Sequence, residues 1–382
     1  MNKHTTFGWG KPLIALAIQA SLVLSPHTSL ALDDPQLSEA YAAIVCDQTG
    51  SVLWSQNAQA ELPMASVTKV MTAMVALDSG VSLDKVCTIT EEELYWNSQE
   101  VGYKATDTPT LLELFQSMLI YSGNDAALNV AINVSGDEQT FVGLMNEKAA
   151  ELGMVHTHFA NPHGLEAEGH YSSAEDLVIM GRYALEHYPL IAQTVCMRSI
   201  DVVAGGELQH LESTDDLMET YEGLLGIKTG AVESGKTFLG ASKRGNVALY
   251  TAVLGCETSE GRFADTATLM DWAYDSYDRK TFGAAGWLVR VSPYALGFNA
   301  RCTVTLPEDP TAVTWPEGQI SYRRVSCAPD LLVEPGDAVT STSWRQTGRF
   351  AGASNVRVDG TLSSPPSINV FALPLFTENP EV

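Results

Sequence analysis

A serine and a lysine three residues apart, in Ala65-Ser66-Val67-Thr68-Lys69, stand at the head of an apolar stretch in which Val67, Val70, Met71, Met74 and Leu77 recur at helical spacing. The pattern predicts a buried helix closed by Asp78-Ser79-Gly80, with Ser66 in its first turn. Three residues is nearly one turn, so the two side chains share a face and the amine can reach the hydroxyl. Free backbone N–H groups and the positive end of the helix dipole favour an anion there. A serine hydroxyl is a poor nucleophile alone; a lysine amine stripped of its proton by burial or by a cationic neighbour can act as its base. The plain alternative is a capping serine followed by a surface lysine, and the rest of the chain decides between them.

The chain of 382 residues suits two domains, and 45% hydrophobic with 18% charged residues is the composition of a folded protein. A formal net charge of -24 argues against nucleic acid as a partner and against attraction to anionic lipid. Lys3, His4 and Lys11, the apolar run from Pro12 to Leu24, and small residues at Ser29 and Ala31 read as an export signal over residues 1–31. No later stretch has the ~20 apolar residues a membrane span needs, and no Cys follows the cleavage region to carry a lipid. An exported protein of the cell envelope or the exterior is expected, with an uncleaved signal anchor as the alternative. Six cysteines in an exported chain permit disulfides. Cys302 and Cys327 fall together in the C-terminal region and are the expected pair, with buried thiols expected for Cys46, Cys87, Cys196 and Cys256. No metal site is expected, since neither a Cys-x-x-Cys nor a His-x-x-x-His spacing occurs.

Tyr41 to Asp47 and Ser51 to Ser55 read as strands joined by an Asp47-Gln48-Thr49-Gly50 turn. From Thr108 to Gly153 the pattern is helical, with Pro109 in a first-turn position and a break at Tyr121-Ser122-Gly123-Asn124-Asp125. Helices are expected from Asp125 to Val134, from Asp137 to Leu152 and from Ser172 to His187. Strands follow over Leu224–Thr229, Thr237–Ser242 and Val247–Leu254, then a helix from Glu260 to Tyr277. The order predicts an α+β domain over residues 32–283, an antiparallel sheet flanked by helices with an inserted helical cluster. Residues 284–382, short segments split by Pro and Gly, predict a small all-β domain.

Three short motifs stand in order: Ser66-Val67-Thr68-Lys69, Ser122-Gly123-Asn124 and Lys228-Thr229-Gly230. Ser-x-x-Lys, a Ser-x-Asn and a Lys-Thr-Gly in that order are shared by penicillin-binding proteins and β-lactamases. The runs Ala42 to Val45, Gly50 to Trp54 and Leu62 to Ser66 lead into the first motif, and Phe159 to Leu165 with Gly169 to Ser173 form a further signature. With these the chain resembles the serine D-alanyl-D-alanine carboxypeptidases, the low-molecular-mass penicillin-binding proteins, over residues 40–280. The resemblance implies a β-lactamase/transpeptidase-like fold, no cofactor, peptidoglycan stem peptides as substrate and β-lactam antibiotics as covalent inhibitors.

It also implies roles. Ser66 attacks the carbonyl between two D-alanines, Lys69 is its base, and Ser122 relays a proton to the leaving amine. Asn124 binds the substrate amide or orients Lys69. Lys228 lowers the pKa of Lys69 and attracts a carboxylate, Thr229 offers that carboxylate a hydroxyl, and Gly230 admits substrate backbone. Arg262 stands near the terminal carboxylate, and the backbone N–H groups of Ser66 and Ala231 form the oxyanion hole. His163 is read as scaffold. Ala231-Val232-Glu233-Ser234-Gly235-Lys236 departs from the family's pattern after the third motif, and the C-terminus lacks a basic amphipathic helix for membrane docking. Other activities of this chemistry are a D,D-endopeptidase on cross-links and a β-lactamase, for which Glu166 is the tempting water activator. A catalytically inactive envelope binding protein is the reading from another class.

Overall fold

Asp47 folds the first hairpin. Its Oδ1 accepts from the N–H of Thr49, the N–H of Ser51 and the Thr49 hydroxyl, and Gly50 takes φ +82°. The chain is seen in a computed structural model that describes residues 33–276 apart from 92–93, 95–97 and 246, and beyond them the backbone of strands between 278 and 369. The hairpin joins β1 (Ala42–Asp47) to β2 (Val52–Gln56). A 3-10 turn, Ala65–Val67, leads into α1 (Thr68–Asp78).

Helices α2 (Leu111–Ile120), α3 (Asn124–Ser135) and α4 (Glu138–Leu152) form the inserted cluster. Thr110 caps α2 in a reciprocal box with Glu113, so Pro109 lies outside the helix rather than in its first turn. Asp137 caps α4 and Ser173 caps α5 (Ala174–His187), each accepting a backbone N–H three residues on. Then come α6 (Pro189–Thr194), the hairpin β3 (Ser199–Ala204) and β4 (Glu207–Glu212), and the single turn α7 (Leu217–Thr220). The β3–β4 pair was not expected, although Gly205-Gly206 between two short apolar runs is a hairpin signal. Last are β5 (Leu224–Val232), β6 (Gly235–Arg244), β7 (Val247–Cys256) and α8 (Ser259–Ser276).

Five strands make one antiparallel sheet in the order β2-β1-β7-β6-β5. Because successive strand residues point to opposite faces, β1 divides its side chains between two cores. Ala42, Ile44 and Cys46 face the helical cluster and α5, whereas Ala43 and Val45 face α8. Strand β7 does the same, with Tyr250, Ala252 and Leu254 on one side and Leu249 and Val253 on the other. The sheet is therefore sandwiched, as the α+β reading expects, and β5 is left at its edge against the 3-10 turn. On the α8 side, Asp265 fastens the entering chain. Its carboxylate accepts from the N–H groups of Ser38, Glu39 and Ala40 and from the Ser38 hydroxyl.

Beyond α8, strands over Leu288–Val291, Asn299–Thr305, Gln319–Ser326, Ala338–Thr347, Ala353–Leu362 and Ser367–Asn369 are joined in antiparallel pairs. The β-rich C-terminal region thus has the expected strand content. The Cys302–Cys327 pair and the 1–31 leader lie outside the residues described in side-chain detail; Cys46, Cys87, Cys196 and Cys256 are free thiols, Cys196 being exposed rather than buried. Among the described residues no helix is long and apolar enough to cross a membrane.

Candidate active site

Ser66 sits in the 3-10 turn ahead of the α-helix rather than inside it, and Ala65 before it takes φ +52°. Lys69 follows one turn on and is fully buried. Its Nζ lies 2.8 Å from Ser66 Oγ, 2.6 Å from Asn124 Oδ1 and 2.5 Å from the His163 carbonyl oxygen. Two of these three neighbours can only accept. When the amine is neutral, with two N–H donors and one lone pair, the donors go to Asn124 and His163 and the lone pair faces the Ser66 hydroxyl. Burial first, and then the charge of Lys228, push Lys69 well below the ordinary lysine range, with Asp125 opposing. Burial is thus the larger cause and Lys228 the second, the two causes that the sequence reading named.

The second motif is brought to this amine by a constrained loop. Ser122, buried, takes φ +70°. A Cβ on Gly123 would meet Val101 Cγ2 at 2.6 Å, so any larger residue here would have to displace the Val101 side chain. Asp125 then anchors the turn, its carboxylate accepting from the N–H groups of Val101, Gly102 and Tyr103. The Asn124 side chain is aimed at Lys69, which supports its orienting role.

Strand β5 supplies the third side. Gly230 passes so close to the nucleophile that an added Cβ would stand 2.8 Å from the Met64 carbonyl oxygen and 2.9 Å from Ala65 Cβ. Lys228 is buried, and burial, then the Arg262 guanidinium, pull it down to about 7 while Asp215 opposes. Arg262 comes from α8 and reaches the same strand, Nη1 donating to the Gly230 carbonyl at 2.7 Å. The Thr229 and Thr214 hydroxyls share a 2.5 Å hydrogen bond. Ala231 is exposed on the strand's outer end. Among the described residues, Asp215 Oδ2, Arg262 Nε and Thr237 Oγ1 are buried polar atoms without a hydrogen-bond partner, and Thr237 pairs with Gly230 across the ladder.

The depressed Lys228 carries a pH prediction. Lys228 is cationic below about 7 and loses its charge above it, so KM for a carboxylate-bearing substrate is expected to rise as pH passes about 7, by at most about tenfold per unit. Lys228→Arg, whose guanidinium does not titrate, should abolish the rise. A flat wild-type KM from about pH 6 to about pH 9 would show that another group holds the carboxylate.

Sequence reasoning missed how much the 158–172 loop contributes. The Pro162 carbonyl accepts from Thr72 at 2.6 Å, the His163 carbonyl from Lys69, and Asn161 ties the loop to itself through the Gly164 N–H and the Leu165 carbonyl. The His163 ring is scaffold, but its carbonyl belongs to the site. Glu166 accepts from the N–H and hydroxyl of Ser234, so it fastens the loop to the β5–β6 turn. No group of His, Cys, Asp or Glu among the described residues is placed to hold a metal ion.

A model of the D-alanyl-D-alanine carboxypeptidase family matches residues 29–258. The D-alanyl-D-alanine carboxypeptidase DacF of Bacillus subtilis is 35% identical over 247 residues, 63% of this chain and 63% of DacF, so the match spans under two thirds of that relative. Penicillin-binding protein D2 of Listeria monocytogenes, solved with cefotaxime bound, is 30% identical with a TM-score of 0.57, covering 63% of this chain and 100% of its own. The D-alanyl-D-alanine carboxypeptidase DacD of Francisella tularensis, 20% identical with a TM-score of 0.64, covers 92% of this chain and 98% of its own, a likeness of fold alone. With the family model matching more than half of the chain, this chain belongs to the D-alanyl-D-alanine carboxypeptidase family.

Proposed function

We propose that the protein is a serine D,D-carboxypeptidase that removes the terminal D-alanine from peptidoglycan stem peptides through an acyl-enzyme at Ser66. The observation that carries this is the buried Lys69 amine, two of whose positions are taken by acceptor oxygens while the third faces the Ser66 hydroxyl. Lys69 takes the Ser66 proton as Oγ attacks the carbonyl between the two D-alanines. The backbone N–H groups of Ser66 and Ala231 receive the oxyanion, where one such donor lowers the barrier by ~2.7 to 4 kcal/mol. Ser122 passes a proton to the leaving amine, and Asn124 keeps Lys69 aligned. Lys228, Thr229 and Arg262 hold the terminal carboxylate, and Gly230 lets the peptide lie along β5. Water then releases the shortened stem peptide. β-Lactams, which offer a strained amide beside a carboxylate, acylate the same serine.

The reading takes residues 32–283 as the peptidase domain, residues 284–382 as a β-rich positioning domain, and residues 1–31 as a signal for export to the cell envelope. Its test is incubation of the full chain with an uncross-linked stem pentapeptide and with a cross-linked dimer. Release of D-alanine from the pentapeptide is expected, together with a long-lived fluorescent-penicillin adduct. Cleavage of the dimer alone would make the protein an endopeptidase. Rapid penicillin turnover would make it a β-lactamase, and absence of both D-alanine release and labelling would leave an inactive binding protein.

A further inference from the structure

Three non-glycine residues among those described have positive φ: Asn57, Ala65 and Ser122. Two of them belong to the site. Ala65 directly precedes the nucleophile and is 1% exposed, in a conformation that an alanine adopts only when its surroundings impose it. The peptide it shares with Ser66 is planar, so the Ala65 carbonyl and the Ser66 N–H turn as one unit and point in opposite directions.

That carbonyl is held by a buried relay. The Ala160 N–H donates to His170 Nδ1 at 3.0 Å, which makes Nδ1 an acceptor and puts the proton of the neutral ring on Nε2. Nε2–H then donates to Thr68 Oγ1 at 2.8 Å, and the Thr68 hydroxyl donates to the Ala65 carbonyl at 2.8 Å. Every donor and acceptor along the line is used in one direction. Thr68 is fully buried and His170 is 6% exposed, its ring packed edge-on against Phe159. Burial keeps the ring neutral, pulling it down to about 4. Gly164 closes the other side of the same carbonyl, where a Cβ would also stand 2.9 Å from Ser66 N.

We propose that His170, acting through Thr68, is a positioning residue that orients the Ala65–Ser66 peptide, and so aims the Ser66 N–H at the oxyanion formed during acylation. The inference rests on the serine-peptidase reading above and adds to it a group that never touches substrate. Ser66 N lies 3.4 Å from where a Cβ on Gly230 would be, so the oriented N–H belongs to the cleft edge along which the peptide is bound.

The test uses the full chain and its Thr68→Val and Thr68→Ser variants. Thr68→Val keeps the shape but leaves the His170 Nε2–H without its acceptor and the Ala65 carbonyl with the Thr68 backbone N–H alone; Thr68→Ser keeps the hydroxyl. Stopped-flow acylation by a fluorescent penicillin separates the rate constant of the covalent step from the affinity of the preceding complex. Thr68→Val is expected to slow the covalent step roughly 10- to 100-fold and to leave that affinity within about twofold. It should weaken, by a similar factor, a peptide boronic acid whose tetrahedral adduct on Ser66 puts an oxygen in the oxyanion position. Thr68→Ser should match wild type in all three measurements. The proposal is overturned if Thr68→Val acylates within about threefold of wild type. It is also overturned if Thr68→Val and Thr68→Ser lose rate and thermal stability alike, or if boronate affinity does not follow the acylation rate. Failure of the wild type itself to be labelled would overturn the serine-peptidase reading instead, and the positioning role with it.

Discussion

Ser66→Ala is expected to lower kcat for D-alanine release by a factor on the order of 10⁶, and adding Lys69→Arg to it is expected to cost almost nothing more. The two side chains form one device: the Lys69 lone pair has value only when a hydroxyl stands 2.8 Å away to give up its proton. Lys69→Arg alone should lose about 10² to 10⁴, as much as Lys69→Met, because a guanidinium does not deprotonate and cannot act as the base. Charge retention by arginine separates two roles for the lysine. If Lys69→Arg keeps most of the wild-type acylation rate while Lys69→Met does not, the residue acts as a fixed cation and the lone-pair argument fails. Burst kinetics with penicillin for the four variants supply the comparison.

Gly164→Ala carries the largest expected structural effect. The residue has φ +93°, and a Cβ would press into the Ala65 carbonyl group and stand 2.9 Å from Ser66 N, all of it backbone that cannot swing aside. Strain and displacement together should cost about 3 kcal/mol, lowering Tm by roughly 6 to 12 °C for a domain of this size. Displacing the nucleophile turn should also slow acylation on the order of 100-fold. Gly143, at which a Cβ would meet nothing within 4 Å, is the control: Gly143→Ala lies mid-helix in α4 and should be neutral or mildly stabilising. A Gly164→Ala protein that melts with wild type and labels at the wild-type rate would mean the loop does not press on the nucleophile.

The chemistry of this site is largely legible in the chain because it is carried by side chains whose types repeat in order. Ser66, Lys69, Asn124 and Lys228 could be named from three short motifs, and the helices that begin near Asp137 and Ser173 could be placed. The parts left unread are backbone. The carbonyls of Pro162 and His163 and the N–H of Ser66 are common to every residue, so only the fold makes them special. Thr68 and Thr72 read as ordinary helix positions because their partners lie about ninety to a hundred residues away. Thr110 with Glu113, and Gly205-Gly206, are misses of a different kind: a capping box and a tight hairpin were both written in local sequence. Strand order lay beyond any local signal, since nothing near Ala42 says that it pairs with Leu254.

That last pairing governs how the molecule can assemble. Strand β1 emerges first and has β2 on one side, but its other neighbour, β7, is among the last elements of the domain to be made, and Asp265, which fastens residues 38–40, comes later still. Until then β1 is an apolar strand with an open edge, and the hydrophobic layers on either side of the sheet cannot close. Loop-closure entropy is met before the central pairing repays it, so the domain should fold slowly and in one late step. A chain cut short before Val247 would have most of its helices and no lasting native state.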